Sequence, residues 1–364
     1  MGPTKKETES FRPTIYENML ISSHIPYILV VILFAAFVGP LGNFLFLYSV
    51  SGNALDAFFG AFLSINAGEG GFIESLQSNW YSFVGNILWY AFLFYVAFIV
   101  KFLRMRLVKA EPELVSLAPD REETVHRVFR HVPRVIPQLV ITSIFLFVYA
   151  TSVPDLLVQG ELTILSSPIY ILRSLLRSLL FGSVLWLYCG SLWGLYRFGK
   201  QNLRLKSYHE DPLLGTKKLG SLAFSFSTTY FLGLVLFGAQ MILGARAGQT
   251  AIVNIIAVLI LVPAGIALFV APLASTHNRM AEVKKTEIAS TGKLLSELFN
   301  RPSEPVKKDK QKMVELMTLE ATERKVMSIK TWPVESPLIG KLALVAISVA
   351  ATLIARLIQI FLGI

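Results

Sequence analysis

Residues 26–48, PYILVVILFAAFVGPLGNFLFLY, form a run of 23 residues without a charged side chain. A helix of this length rises about 35 Å, which is enough to cross the ~30 Å hydrocarbon core of a bilayer. Comparable apolar runs follow at residues 81–103, 135–154, 172–196, 220–244, 250–273 and 342–362. The sequence therefore predicts an all-α protein, a polytopic membrane helix bundle of about seven transmembrane helices.

The composition and the placement of charge agree with this class. Hydrophobic residues make up 54% of the chain and charged residues 16%, whereas a soluble domain carries about a quarter charged residues. Residues 101–134, 197–218 and 276–340 hold eight, six and twelve Lys and Arg, and residues 49–80 hold none. Because basic loops stay in the cytoplasm, we expect a multi-pass cell-membrane protein with a cytoplasmic N-terminus and an external C-terminus.

The same distribution decides which partner the net charge of +10 indicates. The basic loops all lie on the predicted cytoplasmic side, where they face anionic lipid headgroups. The expected partner is therefore the lipid bilayer, and no nucleic-acid partner is expected.

Four regions follow from the apolar runs. Residues 1–25 are a cytoplasmic N-terminal segment, whose amphipathic part predicts a short interfacial helix. Residues 26–274 are a six-helix transmembrane bundle, and residues 341–364 are the seventh transmembrane helix. Between them, residues 275–340 carry two sparse apolar patterns at helical spacing, separated by Arg301-Pro302-Ser303-Glu304-Pro305. This pattern predicts a cytoplasmic antiparallel helical hairpin.

Two spans contain residues that disfavour a regular helix. The first run holds Gly39, Pro40 and Gly42, and the sixth holds Pro263 and Gly265. Proline removes a backbone donor and clashes with the preceding turn. We expect a kink or break at both places, which would suit a gate.

Three arginines lie within or at the end of spans, where charge is costly and often functional. Arg356 is well inside the last run, either as an anion, headgroup or helix contact, or as a side chain that snorkels to the outer interface. Arg173 and Arg177 are one turn apart on one helix face, near the external end of the fourth run. They predict an ion pair with Asp155 or Glu161, contact with headgroups, or a ligand site.

Catalytic chemistry has little support in the sequence. None of the seven runs contains Asp or Glu, and all five histidines lie outside the centres of the runs. Paired intramembrane carboxylates and a histidine-dependent hydrolase are therefore disfavoured. We expect a non-enzymatic protein without catalytic, cofactor or metal residues.

Two functional hypotheses remain open. In the first, the protein is sensory, regulatory or scaffolding, and Met313, Met317 and Met327 of the hairpin form an adaptable surface. That surface would contact a cytoplasmic protein or a second copy of the chain. In the second, the kinked spans build an ion channel or a small-solute transporter.

The C-terminal half also carries a resemblance. Asp211-Pro212 with Gly215 and Leu219-Gly220-Ser221-Leu222, His277 with Met280 and Lys284, and Leu319-Glu320-Ala321 with Glu323-Arg324 before Trp332-Pro333 resemble a group of uncharacterised multi-spanning membrane proteins found mainly in archaea. The likeness covers about residues 205–364. It implies a prokaryotic membrane and a shared architecture, and it implies no activity.

Overall fold

The computed structural model describes residues 13–21, 26–63, 80–120, 122–151, 166–244, 249–300, 306–334 and 336–362. Most of these residues are helical, the others form turns and loops, and none of them forms a strand. The helices are α1 Ile15–Ile21, α2 Tyr27–Ala36, a π-helical segment Phe37–Leu41, α3 Gly42–Ser51, α4 Ala54–Leu63, α5 Trp80–Leu117, α6 Glu122–Phe129, α7 Val135–Ala150, α8 Ser166–Gly199, α9 Lys217–Gly244, α10 Gln249–Phe299, α11 Val306–Met327 and α12 Ser336–Leu362.

Five of these helical stretches are long and apolar enough to cross a membrane. They are Tyr27–Val50, Phe83–Leu117, Pro168–Gly199, Lys217–Gln240 and Ile260–Phe299. The apolar helices Val135–Ala150 and Ile339–Ala351 are shorter. The all-α membrane class is confirmed at this level, and the count of seven crossings stays a prediction.

The core of the bundle is built around α5. Its buried positions recur every three or four residues, from Leu93 through Val100 and Leu107 to Leu114, which is the spacing of one helix face. This face contacts α2, α8 and α9. Because the spacing continues beyond the apolar part of the helix, one packed seam runs from the bundle into the polar end of the molecule.

Glycines on α8 bring the neighbouring helices close. A Cβ on Gly182, Gly194 or Gly199 would come within 2.3, 2.6 and 2.3 Å of side-chain atoms on α7, α6 and α10. Small residues permit such close approach between helices in a membrane, where packing contacts rather than hydrophobic burial hold helices together. These glycines therefore fix the position of α8 among three neighbours.

The N-terminal helix α1 is docked onto the bundle. Thr14 and Glu17 form a capping box, in which the Thr14 backbone N–H donates to Glu17 at 3.1 Å and the Glu17 N–H donates to the Thr14 hydroxyl at 3.2 Å. Tyr16 is fully buried and donates to the Ala97 carbonyl at 3.3 Å. A short helix was expected here, and its interfacial position stays a prediction.

The sixth span contains no break, and of the predicted kink or break only a kink stays a prediction. Pro263 and Gly265 lie inside the uninterrupted helix α10. Within a bundle, neighbouring groups can compensate for a proline inside a helix. A Cβ on Gly265 would lie 2.7 Å from the Tyr230 ring, so this glycine accommodates an aromatic residue of α9 instead of ending the helix.

Helix α11 contacts α10. Lys284 Nζ on α10 donates to the carbonyls of Met327 and Ile329 at 2.8 Å each, and it thereby caps the end of α11. Leu214, Met280, Val326 and Ile329 form a small apolar core at this point. The two helices therefore meet near the bundle, and their cytoplasmic placement stays a prediction.

Candidate functional site: two buried arginines at a broken helix

The first predicted break is present between α2 and α3. Gly39 has φ −100° and ψ −111°, outside the helical region, and the following Pro40 has no N–H to donate. The Gly42 N–H bonds to the Gly39 carbonyl, instead of reaching the carbonyl four residues back as in an α-helix. The Val38 carbonyl is consequently left without its regular helical donor.

Arg177 of α8 supplies the missing donors. Its Nε lies 3.1 Å and its Nη2 2.9 Å from the Val38 oxygen, so both arms of one guanidinium fork converge on one carbonyl. Hydrogen bonds from a charged donor are about twice as strong as neutral ones. Val38 is the twelfth residue of the 24-residue span Tyr27–Val50. The cation therefore lies level with the middle of that span.

Arg173 lies one turn away and is less fully satisfied. It is only 7% exposed, and its Nη1 donates to the Asn43 side-chain oxygen at 3.3 Å. Its Nε is buried without a hydrogen-bond partner among the residues that the structure describes. A Cβ on Gly42 would lie 2.8 Å from the Arg173 Cδ, so the absent side chain of Gly42 is what lets the arginine cross the broken helix.

Three tyrosines surround the two cations. Tyr149 lies beside the Arg177 side chain. The Tyr90 hydroxyl donates to the Ala61 carbonyl at 2.5 Å, and the Tyr170 hydroxyl donates to the Tyr149 carbonyl at 3.1 Å. The site therefore combines two fixed positive charges with neutral hydroxyls, and it connects α4, α5, α7 and α8 to the break.

Three alternatives were left open for the arginine pair, an ion pair with Asp155 or Glu161, contact with headgroups, or a ligand site, and the observed contacts disfavour headgroup contact. Asp155 and Glu161 lie outside the described residues, and no described carboxylate pairs with Arg173 or Arg177. Both guanidiniums turn into the bundle, towards Val38 and Asn43. Sequence reasoning missed Asn43 and Tyr149, and the signal that was available was an arginine in one span together with the helix-disrupting Gly39-Pro40 in another.

The other predicted site residues lie elsewhere. Arg356 is in α12, and its side chain is outside the described part of the structure. Met313, Met317 and Met327 are 60%, 58% and 52% exposed. Among the predicted site residues whose side chains are described, those that lie at the break beside the arginine pair are Gly39, Pro40 and Gly42.

An apolar cavity of about 380 Å³ lies between α5, α8 and α9. The hydroxyls at its edge are used in packing. Tyr95 donates to the Thr229 carbonyl at 2.5 Å, and the Tyr188 and Thr229 hydroxyls are 2.6 Å apart. With these polar groups paired, the cavity has the character of a packing defect or an apolar ligand pocket.

The arginine pair is suited to binding a negatively charged or carbonyl oxygen. Guanidinium groups donate hydrogen bonds and accept none, so the site can hold an anion or a carbonyl oxygen. Within the described ranges, no group of three His, Cys, Asp or Glu is placed to bind a metal. Comparison with protein-family models, curated proteins and solved structures gives no match to this chain. The resemblance to archaeal membrane proteins therefore stays a prediction.

Proposed function

We propose that this is a non-enzymatic multi-pass membrane protein of sensory, regulatory or scaffolding type, whose bundle is coupled to a cytoplasmic helical hairpin. The hairpin, α10 beyond the bundle together with α11, would contact a protein partner or a second copy of the chain. The proposal includes seven crossings of the cell membrane, a cytoplasmic N-terminus and an external C-terminus.

The observation that carries this proposal is the continuity of α10. The helix runs without interruption for 51 residues, from Gln249 to Phe299, which corresponds to about 77 Å. A hydrocarbon core of ~30 Å accommodates less than half of this length. A displacement of α10 in the bundle would therefore be carried to the far end of the helix.

The base of the hairpin is fastened to the bundle. The His277 and Trp332 rings stack with centroids 4.3 Å apart, and His277 Nδ1 lies 2.9 Å from the Thr331 carbonyl. A Cβ on Gly220 of α9 would lie 1.8 Å from the Pro333 carbonyl oxygen, so this backbone contact is direct. These contacts couple α9 and α10 to the end of α11.

The exposed side of α11 supports a contact surface. Val326 is fully buried, whereas Met313, Val314 and Met317 are more than half exposed. Methionine side chains adapt to differently shaped partners, and an exposed apolar strip favours protein contact. We define the methionine face of the hairpin as Met313, Met317 and Met327.

Site-directed cross-linking in native membranes tests this proposal. Met313→Cys and Met317→Cys are introduced separately into a chain in which the single cysteine is removed by Cys189→Ser, and Thr318→Cys, which is also exposed, is the control on another face of α11. We expect a cross-linked adduct, with a second copy or another protein, at the methionine positions and none at 318. Equal cross-linking at all three positions, or none at any, contradicts a specific methionine face.

One observation favours the second candidate, an ion channel or small-solute transporter. The buried Arg173 Nε beside a broken helix has no partner among the described residues, and in transporters the positive N-terminal ends of broken helices bind anionic groups of the substrate. Anion flux into proteoliposomes tests this candidate. Flux that Arg173→Gln abolishes and Arg204→Gln leaves intact would support an anion path, and an absence of flux from the intact protein would remove it.

A further inference from the structure

A groove lies on the outside of the bundle, where the beginning of α2 meets the middle of α5. It has a volume of about 450 Å³, and its lining includes Tyr27, Ile28, Phe98, Lys101, Met105 and Lys109. The residues from α5 recur at spacings of three and four, so they lie on one face of that helix. The groove is therefore a continuous feature of one surface.

Its floor is apolar and faces outwards. Ile28, Phe98 and Met105 are exposed, although they border a buried seam in which the Tyr27 hydroxyl donates to the Ala97 carbonyl at 3.4 Å. In a protein that crosses a bilayer, an outward apolar face at this position contacts acyl chains. The floor is suited to hydrocarbon.

The groove ends in positive charge at the border of the apolar part of α5. From Phe83 to Val100 this helix has no charged residue, and 18 residues rise about 27 Å, close to the ~30 Å hydrocarbon thickness. Lys101 is the first charge after that band, and Lys109 lies two turns further along. The lysines thus occupy the level at which phospholipid phosphates lie.

These two lysines are not neutralised by described carboxylates. Lys101 Nζ lies 4.0 Å from the centroid of the Tyr27 ring. This cation–π contact brings no opposite charge to the lysine. The neighbouring acids are engaged elsewhere, Glu17 with Arg104 at 2.8 Å and Glu113 with Lys218 at 2.9 Å. The two ammonium groups are available for an external anion.

We propose that this groove is a binding site for one anionic glycerophospholipid. The phosphate lies between Lys101 and Lys109, beside Met105, and the acyl chains lie along Ile28 and Phe98. A free phosphate would use the lysines and leave the apolar floor without a role. A basic pocket between membrane helices is a known arrangement for anionic headgroups.

Native mass spectrometry of the full chain, with phosphatidylglycerol and phosphatidylcholine of identical acyl chains, tests the site. We expect Lys101→Gln with Lys109→Gln to lower the affinity for phosphatidylglycerol about 25-fold, about fivefold for each lysine. The affinity for phosphatidylcholine should fall much less, because its choline cation offsets the charge of its phosphate. The matched control is Lys200→Gln. Lys200 also stacks on a tyrosine, at 4.5 Å from Tyr196, but it borders a polar groove with Ser275 and Asn278.

Two further variants keep the test decisive. Lys101→Arg with Lys109→Arg retains both charges, and it should bind phosphatidylglycerol as the unaltered chain does. Phe98→Ala removes part of the floor, and it should weaken the binding of both lipids equally. An unchanged preference in the glutamine variant overturns the proposal. Displacement of bound lipid by equimolar glycerol-3-phosphate would equally overturn it, since the acyl chains would then contribute nothing.

Discussion

At the scale of single residues, Arg177 takes the place of a backbone donor. Its fork makes two bonds to the Val38 carbonyl, and lysine, which carries a point charge on a flexible stem, cannot reproduce that geometry. We expect Arg177→Lys to lower the free energy of unfolding by about 1–3 kcal/mol. Chemical denaturation in detergent micelles measures this change.

A substitution of Pro40 tests whether the helix break is the reason that Arg177 bonds to Val38. With Pro40→Ala the chain regains an N–H and can form a regular helix, in which the Gly42 N–H reaches Val38 and Arg177 is no longer needed there. The two substitutions should therefore be coupled, so that Arg177→Lys costs less in the Pro40→Ala background. Additive effects, or an equal loss with the exposed control Arg204→Lys, would refute the assigned role.

His131 gives a pH dependence outside the membrane-spanning helices. Burial lowers the pKa of His131 below 6.5, and the nearby Arg197 and Arg134 lower it further, although the Gly190 carbonyl at 3.1 Å opposes them. Between the native pKa and pH 6.5 the unfolded chain binds more protons than the folded one. Stability is therefore present above pH 6.5 and falls as the pH drops from 6.5 towards the native pKa.

Thermal unfolding in detergent at pH 5 to 8 checks this sign. The midpoint of the unaltered protein should fall on acidification, and His131→Asn should flatten that part of the curve. His209→Asn, which alters an exposed histidine between α8 and α9, is the control for the loss of a histidine. A slope that survives His131→Asn would assign the dependence to other groups.

At the scale of elements, the attachment of α1 depends on a buried ion pair. Arg104 Nε lies 2.8 Å from Glu17, whose side chain is fully buried. Removal of one partner of a buried pair costs about 3–5 kcal/mol, so Glu17→Gln should destabilise the fold strongly. The pair Arg127–Glu123 at 2.6 Å is mostly exposed, and Glu123→Gln should cost less than about 0.5 kcal/mol. Similar unfolding midpoints for the two variants would contradict the docking of α1.

The contact between α9 and the segment that follows α11 can be tested with two glycines, Gly220 at the contact and Gly292 on α10 away from it. A Cβ on Gly220 would collide with the Pro333 backbone, whereas a Cβ on Gly292 meets no atom within 4 Å. Gly220→Ala should therefore separate the junction and accelerate tryptic cleavage after Lys330. Gly292→Ala should stabilise α10 by about 0.5–1 kcal/mol, because alanine loses less backbone entropy. Cleavage at equal rates in both variants would show that the junction is not fastened at Gly220.

The sequence predicted helices from length and apolarity, and these predictions depend on local information. The break predicted at Gly39 and Pro40 is present, whereas α10 continues without a break through Pro263 and Gly265, where a kink stays a prediction. The difference lies in the neighbouring helices. In the first case the Arg177 guanidinium donates to the Val38 carbonyl. In the second, Gly265 lets the Tyr230 ring approach, and Tyr230 donates to the Leu261 carbonyl at 2.9 Å. The helix-breaking tendency of proline alone does not predict either of these contacts.

The candidate site was only partly predictable for the same reason. The arginines were identifiable because charge is rare in spans. Their partners Val38 and Asn43 are more than a hundred residues away in the chain, and an uncharged carbonyl or amide gives no signal in the sequence. Opposite charge directed attention to Asp155 and Glu161, whereas the partners that the structure describes are neutral.

At the scale of the whole molecule, the number of crossings depends on α7. This helix has 16 residues, about 24 Å, which is a few ångströms shorter than the hydrocarbon core and within the mismatch that a bilayer accommodates. Its Ile136, Ile144 and Phe147 are prominently exposed, as lipid-facing residues would be. We therefore expect α7 to cross.

The parity of the crossings makes this expectation measurable. In a Cys189→Ser chain, Ala54→Cys marks the beginning of α4 and Thr318→Cys marks α11. If α5, α7, α8, α9 and α10 all cross, five crossings separate the two positions, and a membrane-impermeant maleimide labels them from opposite sides. If α7 does not cross, four crossings separate the two positions, and the maleimide labels both from the same side. Because the methionine face is proposed to lie in the cytoplasm, we expect Ala54→Cys to be labelled from outside and Thr318→Cys to be labelled only in inverted vesicles. Labelling of both from one side would remove α7 from the set of spans and place the hairpin on the same side as α4.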